Sequence, residues 1–320
     1  MATYTKYDAV GQREDLSDVI YNISPTDTPI MSSIGKTKAT AVNHEWQTDS
    51  LAAATTANAL VEGADATSAT LSPTTRYGNL TQIVGKTVQV SGTLDAVDKA
   101  GRKSEKAYQL AKGSAEIKRD IETIITANQA KVAGDGSSTA RKMSSLLSFI
   151  KTNTSVGAGT TTAGADPTTI GVSARVDADT TRTFTETMLK EVVREVFTSG
   201  GTPSVLFVSP ALKQTVSGFT GLAAQRYQAP VSGGQATILA GADIYQSDFG
   251  QISIVPNRFM RSRDALLLDP EYAALAYLRP FQTIELAKAG DSDKTQILAE
   301  LTLEVKNEAA HGGVFDLNAA

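Results

Sequence analysis

Apolar and polar positions change their period several times along this chain, and each change predicts a different element. From Val42 to Asp49 (VNHEWQTD) and from Leu80 to Thr93 (LTQIVGKTVQVSGT) they alternate, as on half-buried strands. The Thr/Ala/Ser-rich run between these flanks has almost no aromatic residue to pack, so the expected strand-loop-strand excursion lacks a local core. A lone two-stranded hairpin is marginal in water, and an arm of this length is expected to lie on another copy of the chain. From Ser104 to Val132 the period becomes helical. Leu110, Ile117, Ile121, Ile124, Ile125 and Val132 form one stripe, with Lys112, Glu116, Lys118, Arg119 and Glu122 largely off it. About 29 residues at a rise of ~1.5 Å span roughly 44 Å, and Gly113 is a candidate bend.

Residues 1–40 read as a polar leader with a short helical pattern (Leu16, Val19, Ile20, Ile23), then turns at Ser24-Pro25-Thr26-Asp27 and Thr28-Pro29. After the long helix, a Gly134-Asp135-Gly136 break precedes a second predicted helix over 139–152. The Thr/Gly/Ala tract 153–181 reads as a linker unable to supply a core. Thr183 and Glu186 have capping-box spacing ahead of a helix with Met188, Leu189, Val192, Val193, Val196 and Phe197 on its apolar face. A small α/β lobe follows. It has a buried strand at SVLFV (204–208), a helix opened by Ser209-Pro210, and two strands (ADIYQS, QISIVP) flanking Asp248-Phe249-Gly250. The end is strand-rich, over 265–268, 272–278 and 295–306. In the last run Ile297, Ala299, Leu301, Leu303 and Val305 alternate with Glu300, Thr302, Glu304 and Lys306, predicting one dry and one wet face. No repeat at a period of roughly 20–50 residues is visible, which argues against a solenoid or propeller.

Composition narrows the function more than the fold. The 320 residues have room for two domains or one body with large insertions. Aromatic residues are 6 % of the chain and Trp46 is the sole tryptophan, which suits a flat or multi-lobed subunit. A net charge of -4 without a long Lys/Arg run argues against high-affinity nucleic-acid binding. With no cysteine, disulfides, thiolate metal sites and cysteine catalysis are excluded. Neither a secretory leader nor an apolar run of about eighteen residues is present, so a soluble protein of the cytoplasm is expected, without membrane partners.

The candidate chemistry is weak. Gly35-Lys36-Thr37 and Gly85-Lys86-Thr87 echo the end of a phosphate-binding loop, but the earlier glycine is Ile30 in one and Leu80 in the other. His44-Glu45 opens like a zinc-protease helix, yet Thr48 stands where the second histidine belongs, and the other histidine, His311, is at the far end of the chain. Asp248-Phe249-Gly250 has no His-Arg-Asp loop before it. Asp177-Ala178-Asp179 and Asp291-Ser292-Asp293 lack the glycine and glutamate of a calcium loop. No catalytic, cofactor or metal residue is assigned, and an enzyme is not expected. Arg258, Arg261 and Arg263 around Phe259 form the densest positive patch, suited to nucleic acid or to carboxylates of a neighbouring subunit.

Read in order, four stretches resemble one family: GQREDLSDVIYNISPTDTPIMSSIGKTKA, EWQTDSL, TVQVSGTLDAVDKAGRKSEKAYQLAKGSAEIKRD and VPNRFMRSRDALLLDPEYAALAYLRPFQTIELAKAGDSDK. They resemble the major capsid proteins of tailed double-stranded-DNA bacteriophages, in the branch typified by a prolate-headed coliphage; the tract 153–181 has no counterpart. The resemblance implies an α+β chain of the Hong Kong 97-type capsid fold. Its parts would be an N-terminal arm (1–40), an extended E-loop (41–95), a peripheral domain with the spine helix (96–184), an axial domain (185–260) and strands returning to the peripheral domain (261–320). The implied function is a virion shell of pentamers and hexamers around packaged DNA held without sequence-specific binding, assembled in the host cytoplasm.

Expected partners are further copies of the chain, a portal protein and a separate scaffolding protein, since no long helical extension precedes the arm; a decoration protein is a candidate addition. Trp46, Arg76 and Tyr77 of the E-loop are expected on a neighbour, and Arg258, Phe259, Arg261, Arg279 and Phe281 at or near subunit contacts. No motif locates a covalent cross-link, so the contacts are expected to be noncovalent. Two alternatives stay open: an encapsulin-like nanocompartment shell and, remotely, a soluble α+β hydrolase.

Overall fold

A computed structural model describes residues 24–63, 65, 68, 71–97, 103–219 and 243–318. The short helix expected within 16–23 lies outside these residues. In chain order the first elements are α1 (Pro29–Ser33), β1 (Gly35–Lys38), β2 (Asn43–Thr48), β3 (Thr75–Leu80), β4 (Gln82–Ser91), α2 (Gly92–Ala96), α3 (Glu105–Thr126), α4 (Leu146–Phe149) and β5 (Thr154–Ser155). They are followed by α5 (Glu186–Thr198), β6 (Val205–Val208), α6 (Pro210–Ser217), β7 (Ile244–Ser247), β8 (Gly250–Pro256), β9 (Ala265–Leu268), β10 (Ala273–Glu285), β11 (Ser292–Val305) and β12 (Gly312–Val314).

These strands form a four-stranded sheet β1-β10-β11-β4, a six-stranded sheet β5-β12-β9-β6-β8-β7 and a separate ribbon β2-β3. The ribbon corrects the sequence reading. β2 pairs with β3, Trp46 opposite Tyr77, while the alternating run after Leu80 turns at Thr81 and becomes β4, antiparallel to β11 in the body. Val84 packs against the first core and Val90 is buried in the body, so the apolar positions of β4 belong there rather than to the arm.

The spine helix α3 starts where expected, with the Ser104 side chain accepting from the Ala107 N–H, but stops at Thr126. Beyond it Val132 pairs with Lys142, and Gln129 exchanges hydrogen bonds with Ser145, so tertiary partners replace the last predicted turn. Gly113 does not break the helix. It faces the sheet, where a Cβ would stand 3.4 Å from Ile297 Cδ1. The helix expected over 139–152 shrinks to α4, because the hydroxyls of Ser144, Ser145 and Ser148 bond the carbonyls of Gly171, Gln129 and Ser173. Such side-chain bonds compete with helical pairing.

α5 is capped by Thr185, not Thr183. Phe184 just before the cap and Leu189 in the first turn share one core, a hydrophobic staple that sets the entry of the chain. α6 begins at Ser209-Pro210 as expected.

The six-stranded sheet separates two cores. Phe207, Leu266 and Leu268 face the first with Ile117, Ile121 and Ile125 of α3; Leu206, Val208, Ala265 and Leu267 face the second with Leu189, Val192 and Val196 of α5. Both faces being covered explains the unbroken apolar runs VLFV and ALLL. The wet face predicted for the last long strand is partly buried: Thr302 and Glu300 are covered within the subunit, Glu300 under Thr81, Arg141 and Arg279, while Lys306 is exposed. β10 runs on to Glu285, with register shifts around Arg279 and Pro280, where a residue without an N–H breaks the ladder.

Candidate assembly surface

The β2-β3 ribbon is rooted in a polar seam on β11. Glu304 accepts from Thr37 Oγ1 (2.9 Å) and lies 3.1 Å from His44 Nε2. Asn79, fully buried, donates to the carbonyls of Ser144 and Leu303 and accepts from the Ser144 N–H. Glu300 collects Arg141, Thr81 Oγ1 (2.8 Å) and Arg279 Nε (2.8 Å). With these donors converging on Glu300 and Glu304, the seam orients the ribbon.

Beyond the root the described residues are largely exposed. Leu51 is 98 % exposed, Leu60 87 %, Val61 79 % and Leu71 88 %. Scattered apolar residues on a surface need no explanation, but four nearly bare aliphatic side chains on one excursion between two paired strands do.

The sequence-predicted contact residues divide. Arg76 is exposed and reaches Glu45 at 3.5 Å across the ribbon; Tyr77 is half-buried opposite Trp46. Trp46 itself turns inward, 5.8 Å from the Phe149 ring, packed against the first core. Arg258 is exposed, and Phe259 carries the Arg119 guanidinium 5.3 Å from its ring centroid. Arg261 pairs with Asp177 and places its Nε 3.3 Å from Asp264, Arg279 pairs with Glu300, and Phe281 packs on the first core beside Tyr277. The structure thus brings Trp46, Arg279 and Phe281 onto one body and leaves Arg76 and Arg258 to solvent. The exposed leucines and Val61 carried no periodic signal, and only the composition of the segment could have singled them out.

The chemical candidates sit in ordinary structure. Gly35-Lys36-Thr37 lies in β1 and Gly85-Lys86-Thr87 in β4; neither opens a helix. Asp248-Phe249-Gly250 makes the β7-β8 turn, Asp179 accepts backbone N–H groups of Thr160 and Thr161, and Asp293 pairs with Lys288 at 2.6 Å. Among the described residues, no three His, Asp or Glu side chains gather to hold a metal, and no helix is long and apolar enough to cross a membrane.

A long helix on a four-stranded sheet, a second sheet with its own helices and an outlying ribbon together define the class: the Hong Kong 97-type capsid fold. The chain is similar to the Cyanophage A-1(L) capsid asymmetric unit (TM-score 0.68, 11 % identity, covering 96 % of this chain and 97 % of that one). It also resembles the capsid of the native GTA particle (TM-score 0.60, 11 % identity, 96 % of each) and the SrpI encapsulin of Synechococcus elongatus PCC 7942 (TM-score 0.57, 11 % identity, 97 % and 94 %). The SU10 major capsid protein family matches residues 3–318, and the chain belongs to that family. It is 27 % identical over 346 residues to the major capsid protein of Escherichia phage Phieco32, covering 98 % of this chain and 96 % of that protein. It is a structural protein of the virion shell, a major capsid protein of tailed phage.

Proposed function

We propose that copies of this chain close into pentamers and hexamers that tile a shell around packaged double-stranded DNA. The observation that carries this reading is the excursion 49–74, whose bare Leu51, Leu60, Val61 and Leu71 have no cover in their own subunit. Burying about 25 cal/mol per Å² of apolar surface at each repeat, modest contacts add up over a closed shell.

In this reading the ribbon and its loop are the E-loop, α3 with the four-stranded sheet the peripheral domain, and the α5, α6, β7 and β8 region the axial domain. Arg76, Tyr77 and Arg258 contact neighbouring subunits, while Trp46, Phe259, Arg261, Arg279 and Phe281 hold those contacts in position. The subunit acts by assembly, not catalysis. A separate scaffolding protein, a portal and a decoration protein complete the set of partners, and DNA is held by enclosure, consistent with a net charge of -4.

Electron microscopy and sedimentation of the full-length chain, alone and with a co-expressed scaffolding protein, test this. Closed shells or ring-shaped capsomers are expected. A monodisperse monomer under both conditions overturns the assembly reading, and shells that co-purify with an enzyme in place of DNA favour the nanocompartment alternative.

A further inference from the structure

The tract 153–181, compositionally a linker, is held by a closed set of charges. Asp316 adopts φ 60°, in the left-handed region. Its buried carboxylate accepts from the N–H groups of Gly157 (3.0 Å) and Ala178 (2.8 Å) and from Arg263 Nη2 (2.8 Å). Buried Arg175 reaches Asp166 at 2.8 Å, donates to the Ile150 carbonyl at 3.0 Å, and lies 3.4 Å from the Phe315 ring centroid. Arg261 pairs with Asp177, and Arg263 also donates to the Ala178 carbonyl at 2.7 Å.

In the middle sits Asp264, fully buried. Neither of its carboxyl oxygens has a hydrogen-bond partner, and its nearest cation is Arg261 Nε, 3.3 Å from Oδ2. The charged groups facing it are Arg261 and Arg263 from its own loop and Arg175 and Asp177 from the tract. Arg261, Arg175 and Arg263 already pair with Asp177, Asp166 and Asp316, and a buried carboxylate that accepts no hydrogen bond costs far more than a buried carboxylic acid. Burial pushes this group up to about 7; Arg261, Arg175 and Arg263 pull against that and Asp177 adds to it.

We propose that Asp264 makes the seating of residues 153–181 a proton-linked latch: the carboxyl group is buried uncharged while the tract is seated, and releases its proton to water when the tract lifts. The seated state holds the extra proton, so seating is strongest in acid, weakens as pH rises through the carboxyl range, and levels off above about 7. The latch needs no second subunit, so it stands or falls separately from the shell.

Hydrogen exchange of the full-length protein, followed by mass spectrometry from about pH 5 to 8 and corrected for the intrinsic pH dependence of exchange, reads the latch. Peptides of α3 and β11 serve as internal reference for global opening. In the wild type, exchange of the tract relative to the reference is expected to rise by up to roughly ten-fold per pH unit and then level off. D264N is expected to remove that slope. D316N is expected to speed the tract at every pH while keeping the slope. A flat wild-type profile, or the same slope in D264N, overturns the proposal. Should D264N fail to fold, infrared difference spectra of wild-type protein labelled with carboxyl-13C aspartate decide. A buried carboxylic acid that ionises as the tract loosens supports the latch, and its absence overturns it.

Discussion

Glu122 shows how one side chain of the spine helix organises chain remote in sequence. Thr28 makes no side-chain cap for α1. Instead Glu122 Oε1 accepts from the Ile30 N–H (2.9 Å) and Asn257 Nδ2 (2.7 Å), and Oε2 accepts from the Met31 N–H (2.9 Å). Burial pushes this carboxyl up while the three donors pull it down. Glu122→Ala leaves three buried donors unpaired at about 1–3 kcal/mol each, so a loss of at least ~3 kcal/mol is expected in urea denaturation, with Glu122→Gln intermediate.

Two further buried groups oppose each other. His311, whose ring accepts the Asp269 N–H, is lowered by burial to about 4. The folded state refuses its proton, so stability is full above the ordinary value of 6.5 and falls toward pH 4 by roughly 3 kcal/mol. Asp264 is raised, so its contribution is full below 3.8 and is lost by roughly 4 kcal/mol as pH rises to about 7. The wild type is therefore expected to show a shallow stability profile between about pH 4 and 7. His311→Gln should leave stability falling as pH rises and Asp264→Asn should leave it falling as pH drops, both read from denaturation midpoints.

Glycines decide how two helices meet their sheets. α5 rests on β12 at Gly312, where a Cβ would stand 2.5 Å from Val192 Cγ1 and 2.9 Å from Val196 Cγ2. Gly312→Ala is expected to cost about 1–3 kcal/mol by overpacking. At Gly113 the nearest atom is 3.4 Å away, so Gly113→Ala is expected to be neutral or to gain up to ~1 kcal/mol of helix propensity; thermal denaturation of the two variants should shift in opposite directions or only for Gly312. Both helices were legible in the sequence because their apolar stripes keep a period of 3.6. The lengths of α3 and α4 were not, since Ser145 and its neighbours trade local pairing for remote carbonyls.

For the assembled shell, residues bare in the subunit separate assembly from folding. Leu60→Asp with Val61→Asp, and Arg76→Ala, change side chains at least 69 % exposed, so subunit stability should stay within ~0.5 kcal/mol while particle yield falls in sedimentation. Trp46→Ala cannot make that separation. Its ring fills the space beside Phe149, and the truncation is expected to cost the subunit about 3 kcal/mol by itself.

Local pattern alone determined the long helix α3, the capped start of α6, the strands at 204–208 and 265–268, and an excursion without a local core to stand on. Each depends on side-chain period or on turn residues, which act over a few positions. The tertiary structure decided which strands pair: β2 joins β3 because β4 is claimed by β11 and α3. It decided that Trp46 points inward and that Glu300 and Thr302 are covered. It also gave the tract 153–181 its order, through Asp316, Arg175 and the loop of Arg261, Arg263 and Asp264, whose charges lie far apart in sequence and balance only once the fold has brought them together.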